Sequence, residues 1–163
     1  MVGEGHNDFQ MYDKEGAADY PDYRKLSADL LFKWNGFSLL AEYVNATANG
    51  LNGLYVEKDE GAKLKPHQIA NYLALGNGFN VQAGYLFRKL WALDIAYSKV
   101  KPEWKETEQS VLREADNITF GASKYFNNNT FKLQLAGSYT SYNQLVGAGS
   151  KEFQVKLNLH ILF

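Results

Sequence analysis

Large apolar residues recur at every second position in seven separate stretches of this chain, the period of β-strands that have one apolar and one polar face. In residues 24–34, Leu26, Ala28, Leu30, Phe32 and Trp34 share one face, while Lys25, Ser27, Asp29, Leu31 and Lys33 share the other. Asn35-Gly36 follows, a pair suited to a two-residue hairpin because both central residues of a type I′ turn need positive φ. The apolar face resumes in 37–47 with Phe37, Leu39, Ala41 and Tyr43. The same alternation predicts strands over 79–87, 91–100, 117–126, 131–141 and 151–163. The last of these sets Phe153, Val155, Leu157, Leu159, Ile161 and Phe163 against Gln154, Lys156, Asn158 and His160.

The connections alternate as well. Those at 35–36, 88–90 and 127–130 are short, and those at 48–77, 101–116 and 143–150 are long. Transmembrane barrels show this asymmetry, with the long loops outside. Residues 1–23 read as a long outer loop, with one strand remnant at "NDFQMY". Within 48–77, Pro66 suits a first helical turn, Ile69, Tyr72 and Leu73 share a helical face, and Gly76 suits a stop, which together predict a short helix. The competing reading extends the neighbouring strands as a hairpin.

Strands of about ten residues suit a tilted crossing of a bilayer better than a globular sheet, where about five or six is the mode. Aromatic residues make up 15% of the chain and are not scattered. Trp34, Phe37, Phe87, Trp91, Phe126, Phe131 and Phe163 all fall on the apolar face at the short-turn end, as a girdle at a membrane–water interface would. Tyr43, Tyr97, Tyr139 and Phe153 form a more ragged row at the other end. The expected fold is therefore all-β, an antiparallel up-and-down transmembrane β-barrel, with the lipid bilayer as its solvent and the bacterial outer membrane as its location. A soluble sandwich or lipocalin-like barrel is the alternative that the same alternation allows.

Seven strands begin and end in the same direction, whereas bacterial barrels have an even number. Residues 24–163 are thus expected to be the C-terminal part, about seven or eight strands, of a larger barrel. The opening "MVGEGHNDFQMYDKEG" has no basic segment followed by an apolar one, so Met1 is read as internal to a longer protein rather than as the start of a signal peptide. No stretch has the roughly 18 apolar residues of a membrane-spanning helix.

If the apolar face meets lipid, the opposite face lines water. That makes Lys25, Asp29, Lys33, Glu42, Gln82, Asp94, Lys132, Gln134, Lys156 and Asn158 the pore-lining candidates. Across the Asn35-Gly36 turn, Asp29 falls opposite Glu42. This pair is either an acidic spot engaged by lysines of a neighbouring strand or two independently solvated carboxylates. Lys124 is the one charge on the apolar face, near enough to the rim to snorkel.

With 17 basic and 18 acidic residues, the chain has no excess charge that would suit nucleic acid, and none is expected as a partner. Cysteine is absent. His6, His67 and His160 have no metal-ligand spacing, so no metal, cofactor or catalytic residue is expected. His160 with Ser138 or Ser123 is conceivable as a hydrolytic pair, but ordinary polar lining is the favoured reading. "GLNG" and "GNG" are turn chemistry, because no Gly-Lys-Ser or Gly-Lys-Thr follows them.

The blocks "KWNGFSLLAEY" (33–43), "GFNVQAGYLF" (78–87), "LDIAYSKVKP" (93–102) and "ITFGASKYFNNNTFKLQL" (118–135) resemble, in this order, the last hairpins of the phosphate-selective porins of Gram-negative outer membranes, in the form common in Bacteroidetes. The terminal "LNLHILF" is similar to the signal by which outer-membrane barrels are recognised for insertion. The resemblance implies a sixteen-stranded homotrimeric channel that passes small solutes, anions such as phosphate among them, and is inserted by the barrel-assembly machinery. One position departs from it: Ala96 stands where such porins often carry Arg before the Tyr-Ser pair, which removes a lumen cation. A small closed barrel with a structural or adhesive role is the second reading, and a soluble β-barrel binding an apolar ligand the third. None of the three is an enzyme.

Overall fold

The structure, a computed structural model, describes residues 11–20, 22–51, 53–55, 63–64, 66–69, 73–88, 90–104, 112–126, 131–143 and 150–161. Most of the described residues lie in antiparallel strands. A two-residue pair, β1 (Met11–Tyr12) and β2 (Ala18–Asp19), precedes seven long strands. These are β3 (Asp22–Trp34), β4 (Phe37–Asn49), β5 (Gly76–Phe87), β6 (Trp91–Pro102), β7 (Ala115–Phe126), β8 (Phe131–Tyr142) and β9 (Ser150–Ile161). They form one sheet in sequence order, each strand pairing with the next. The strands reach one to three residues farther toward the long connections than alternation alone delimits. Ladder pairing such as Asn45↔Asn77 and Lys99↔Asp116 holds them extended where the apolar face has already ended.

The Asn35-Gly36 turn has the two positive φ values its sequence requires, 45° and 85°. Between β5 and β6, the Leu90 amide donates to the Phe87 carbonyl at 2.9 Å, and the Leu90 carbonyl accepts from the Tyr125 amide at 2.8 Å, tying this turn to β7. The expected helix is a single turn, α1 (Pro66–Ile69), extended by a bond from the Leu73 amide to the Ile69 carbonyl at 3.0 Å. Tyr72, Phe163, the turn at 127–130 and most of "NDFQMY" lie outside the described residues.

Closure into a barrel is not seen. The sheet is open, with β3 and β9 at its edges, and every described residue of both is exposed. Both edge strands run toward the short turns, so they cannot pair antiparallel with each other. The register is nevertheless staggered. Glu42, Asn80 and Asn117 belong to one pairing row, running Glu42↔Asn80↔Ser98↔Asn117, yet Phe37, Phe87 and Phe126 at the hairpin ends lie 5, 7 and 9 residues below it. A shift of about one residue per strand, at roughly 3.3 Å against 4.8 Å between strands, inclines the strands by about 35° to the line of turns. That is the tilt of strands in a barrel wall.

Among the described residues the sheet has no second layer on its apolar face. Phe153, Leu157 and Trp34 are 72%, 68% and 70% exposed, and Leu26, Leu30 and Phe120 are also well exposed. The buried core lies elsewhere, at the long-connection end. There Met11, Ala48, Leu51, Leu54, Ile69 and Leu75 cluster, with Leu64, Leu73 and Trp104 packed against them. Backbone bonds between Tyr12 and Tyr55 at 3.0 and 2.8 Å, and from the Leu64 amide to the Leu54 carbonyl at 3.0 Å, hold this cluster together.

Candidate functional site

The pairing register assigns every outward side chain a neighbour, so the limits of the apolar face can be read strand by strand. Apolar or aromatic residues run from Leu26 to Trp34 in β3, Phe37 to Tyr43 in β4, Phe79 to Phe87 in β5 and Trp91 to Tyr97 in β6. They continue from Ile118 to Phe126 in β7, Phe131 to Tyr139 in β8 and Phe153 to Ile161 in β9. Each run is about 20–27 Å along its strand. The next outward residues are Arg24, Asn45, Asn77, Lys99, Asp116, Ser141 and Lys151, all polar. Four of these are consecutive neighbours, Lys99↔Asp116↔Ser141↔Lys151. The Lys99 ammonium meets the Asp116 carboxylate at 2.9 Å, and the Tyr97 hydroxyl donates to the same oxygen at 2.7 Å. The band thus keeps nearly constant width and steps with the stagger of the strands.

Its other border is aromatic. Trp34, Phe37, Phe87, Trp91, Phe126 and Phe131 stand at the hairpin ends, with Phe126–Phe131 and Phe32–Phe37 ring centroids 5.1 and 6.3 Å apart. Tyr85 joins this border through an edge contact with Phe87 at 4.6 Å, although its mid-face position in the alternation pattern did not mark it. Lys124 sits among these rings, its ammonium 4.0 Å from the Trp91 centroid and 5.7 Å from that of Phe126. The quadrupole of the indole face attracts the cation, so the one charge within the apolar band among the described residues lies where it is compensated.

On the opposite face the register strings together Asp29, Glu42, Asn80, Ser98, Asn117, Thr140 and Glu152, a polar row crossing all seven strands. Asp29 is paired directly with Glu42. The Asn80 amide donates to Glu42 at 2.9 Å, and among the described residues neither carboxylate is in an ion pair with lysine. Farther along the row, the Asn117 amide donates to the Thr140 hydroxyl at 2.7 Å and the Thr119 hydroxyl donates to Asn117 at 3.0 Å.

Nearer the short turns this face is recessed. One hollow of about 550 Å³ is lined by Lys33, Ser38, Gln82, Asp94, Tyr125, Lys132 and Gln134 among others. A second, of about 270 Å³, shares Gln82, Asp94 and Gln134 with it and adds Asn80, Ser98, Asn117 and Thr119. Asp94 is common to both because its neighbours across the sheet are Gly84 and Gly121, which leave its carboxylate room. The Lys132 ammonium stands 5.4 Å from the Tyr125 ring. A polar hollow with two ammonium groups, one carboxylate and several amides is equipped to replace part of the hydration shell of a small solute.

Of the sequence candidates, Lys33, Gln82, Asp94, Lys132 and Gln134 meet in these hollows. Lys25, Asp29, Glu42, Lys156 and Asn158 share the same face but stand outside them. Ser38, Asn80, Ser98, Asn117, Thr119 and Tyr125 line the hollows and were not singled out beforehand, although alternation alone puts them on this face. His160 pairs with Lys132, six residues along β9 from Gln154, the partner of Ser138, so roughly 20 Å of strand separates that histidine from that serine. Ser123 is separated from β9 by β8. His6 lies outside the described residues.

No protein-family model, no curated protein and no solved structure matches this chain.

Proposed function

We propose that the seven strands are part of the wall of an outer-membrane diffusion channel, a porin of the phosphate-selective type, with the apolar face toward lipid and the polar hollows toward the water it conducts. The observation that carries this reading is the band of nearly constant width, edged by aromatic rings on one side and by Asn77, Lys99, Asp116, Ser141 and Lys151 on the other. A soluble sheet has no reason to expose a strip whose borders follow the stagger of its strands. A bilayer requires one, with an apolar height of about 25 Å and girdles at both interfaces. Inclined by about 35°, the runs span roughly 16–22 Å of that height, with the border rings at their ends. In the intact protein the unpaired edges would be covered by further strands, because lipid satisfies no backbone group. The full-length assembly is read as a homotrimer inserted by the barrel-assembly machinery.

The test is conductance. Protein refolded in detergent and added to a planar bilayer should give stepwise currents, and its gel mobility should change on boiling. Neither effect in the full-length protein would end this reading. Selectivity for anions is the finer part of the proposal and rests on Lys33 and Lys132 in the larger hollow. Lys132→Glu with Lys156→Glu should lower anion over cation permeability, and an unchanged reversal potential would remove the anion preference while leaving the channel.

A second reading draws on the apolar face itself. A groove of about 550 Å³ lies there among Phe37, Ala83, Leu93, Ile95, Phe120 and Leu135, floored by small residues. It would suit an apolar ligand on a soluble sheet protein. A monodisperse preparation free of detergent would favour this reading over the channel.

A further inference from the structure

The charge within the apolar band adjoins the groove in it. On β7 the outward residues run Lys124, Ala122, Phe120 from the short turn upward. Ala122 is flanked by Leu93 on β6 and Leu135 on β8, so a trough follows β7 between two larger side chains. Past Phe120 the groove reaches Gly137, where even an added Cβ would have nothing within 4 Å. Lys124 stands at the short-turn end of the trough, two residues from the end of β7 and therefore roughly 5 Å from the line of turns. Its ammonium lies over the ring of its cross-strand partner Trp91, at 4.0 Å, with Phe126 at 5.7 Å. An indole face offers a cation a partial negative charge, not a whole one. From β4 to β9 the outward side has a single carboxylate, Asp116, which is roughly 26 Å farther along β7 and already engaged by Lys99.

We propose that Lys124 and the trough over Ala122 form a binding site for an anionic phospholipid of the leaflet at the short turns. The Lys124 ammonium holds the phosphate beside Trp91, and one acyl chain lies between Leu93 and Leu135. The inference rests on the channel reading, which turns this face to lipid. Charge complementarity selects the occupant: a cation without a carboxylate beside it, at the mouth of an apolar trough, matches one negative charge joined to hydrocarbon. A zwitterionic lipid brings its own ammonium to the same place. A wholly apolar ligand leaves the Lys124 ammonium with the rings alone, at a cost in desolvated charge. A second copy seated on this face by a twofold axis would add another Lys124 and no carboxylate to meet it.

Trp91 reports on the site directly, because bromine on an acyl chain quenches an indole that it touches. The measurement takes full-length protein in which Trp91 is the sole tryptophan, reconstituted into phosphatidylcholine bilayers in which either brominated phosphatidylglycerol or brominated phosphatidylcholine replaces part of the lipid. Phosphatidylglycerol should occupy the surroundings of Trp91 at least about threefold more strongly, the scale expected of one lysine near an anionic headgroup. Lys124→Gln should bring that ratio to about one, and Lys124→Arg should preserve it. Equal quenching by the two lipids, or a preference that survives Lys124→Gln, would overturn the site while leaving the channel. Ala122→Leu, which fills the trough, should also remove the preference; an undiminished one would overturn the trough as the seat of the chain. Should the single-tryptophan protein fail to assemble, spin-labelled lipids around protein with its tryptophans intact give the same comparison. The motionally restricted fraction of phosphatidylglycerol should then exceed that of phosphatidylcholine and fall with Lys124→Gln, and an unchanged fraction would overturn the site. Trp91 quenched by neither lipid would show that this face does not meet the bilayer, and would sink the channel reading together with the site.

Discussion

Single residues decide how this sheet turns and where its charges stand. Gly36 has φ of 85°, and a Cβ there would approach the Leu86 carbonyl oxygen to 2.8 Å. Gly36→Ala should therefore destabilise the folded protein by about 1–3 kcal/mol. Gly137→Ala, with nothing within 4 Å of the added carbon, should change stability by less than about 0.5 kcal/mol. Midpoints of urea unfolding in lipid measure both. Gly84 is a different case, since its added carbon would meet the Asp94 carboxylate, the free end of a side chain that can swing away. Gly84→Ala should fold normally yet, on the channel reading, shift the reversal potential, and an unshifted potential would take Asp94 out of the solute path. The Asn35-Gly36 turn was legible in the sequence because two neighbouring residues specify it. The Gly84–Asp94–Gly121 arrangement was not, because it depends on how three strands register across the sheet.

The strands themselves were legible, and so was the pairing of Asp29 with Glu42, since a two-residue turn leaves the register no freedom. Across the long connection between β4 and β5 the sequence leaves that freedom open, and the pairing of Glu42 with Asn80 came only from the structure. Faces respond differently to the same substitution if one meets lipid. Leu135→Arg, in the middle of the band, should cost about 2–4 kcal/mol in a bilayer. Gln134→Arg, one residue away on the other face, should leave stability within about 0.5 kcal/mol and increase anion selectivity. Denaturant titration of the heat-sensitive gel band measures the first effect and reversal potentials the second. Equal losses of stability at both positions would contradict the assignment of faces.

At the scale of the molecule, alternation revealed the sheet but not the buried cluster at its long-connection end. Leu51, Leu54, Ile69, Leu73 and Leu75 have no single period, and they come together through chain collapse between two strands rather than within one element. The open edges make a further prediction. In membrane-embedded full-length protein, amides of β3 and β9 should resist hydrogen exchange as strongly as those of β6, since a closed wall leaves no strand half-paired. Rapid exchange confined to β3 and β9 would mean that the sheet stays open. The matching directions of these two strands also limit what can lie beside them. A second copy could pair its own β9 antiparallel against β9, or its β3 against β3, only by a twofold rotation that turns it upside down, placing its long connections at the opposite end of the strands. On the channel reading, a wall inserted from one side admits no such inverted partner. An antiparallel wall would then be completed by strands of different sequence, and two identical copies could join in one orientation only through parallel pairing of β3 with β9.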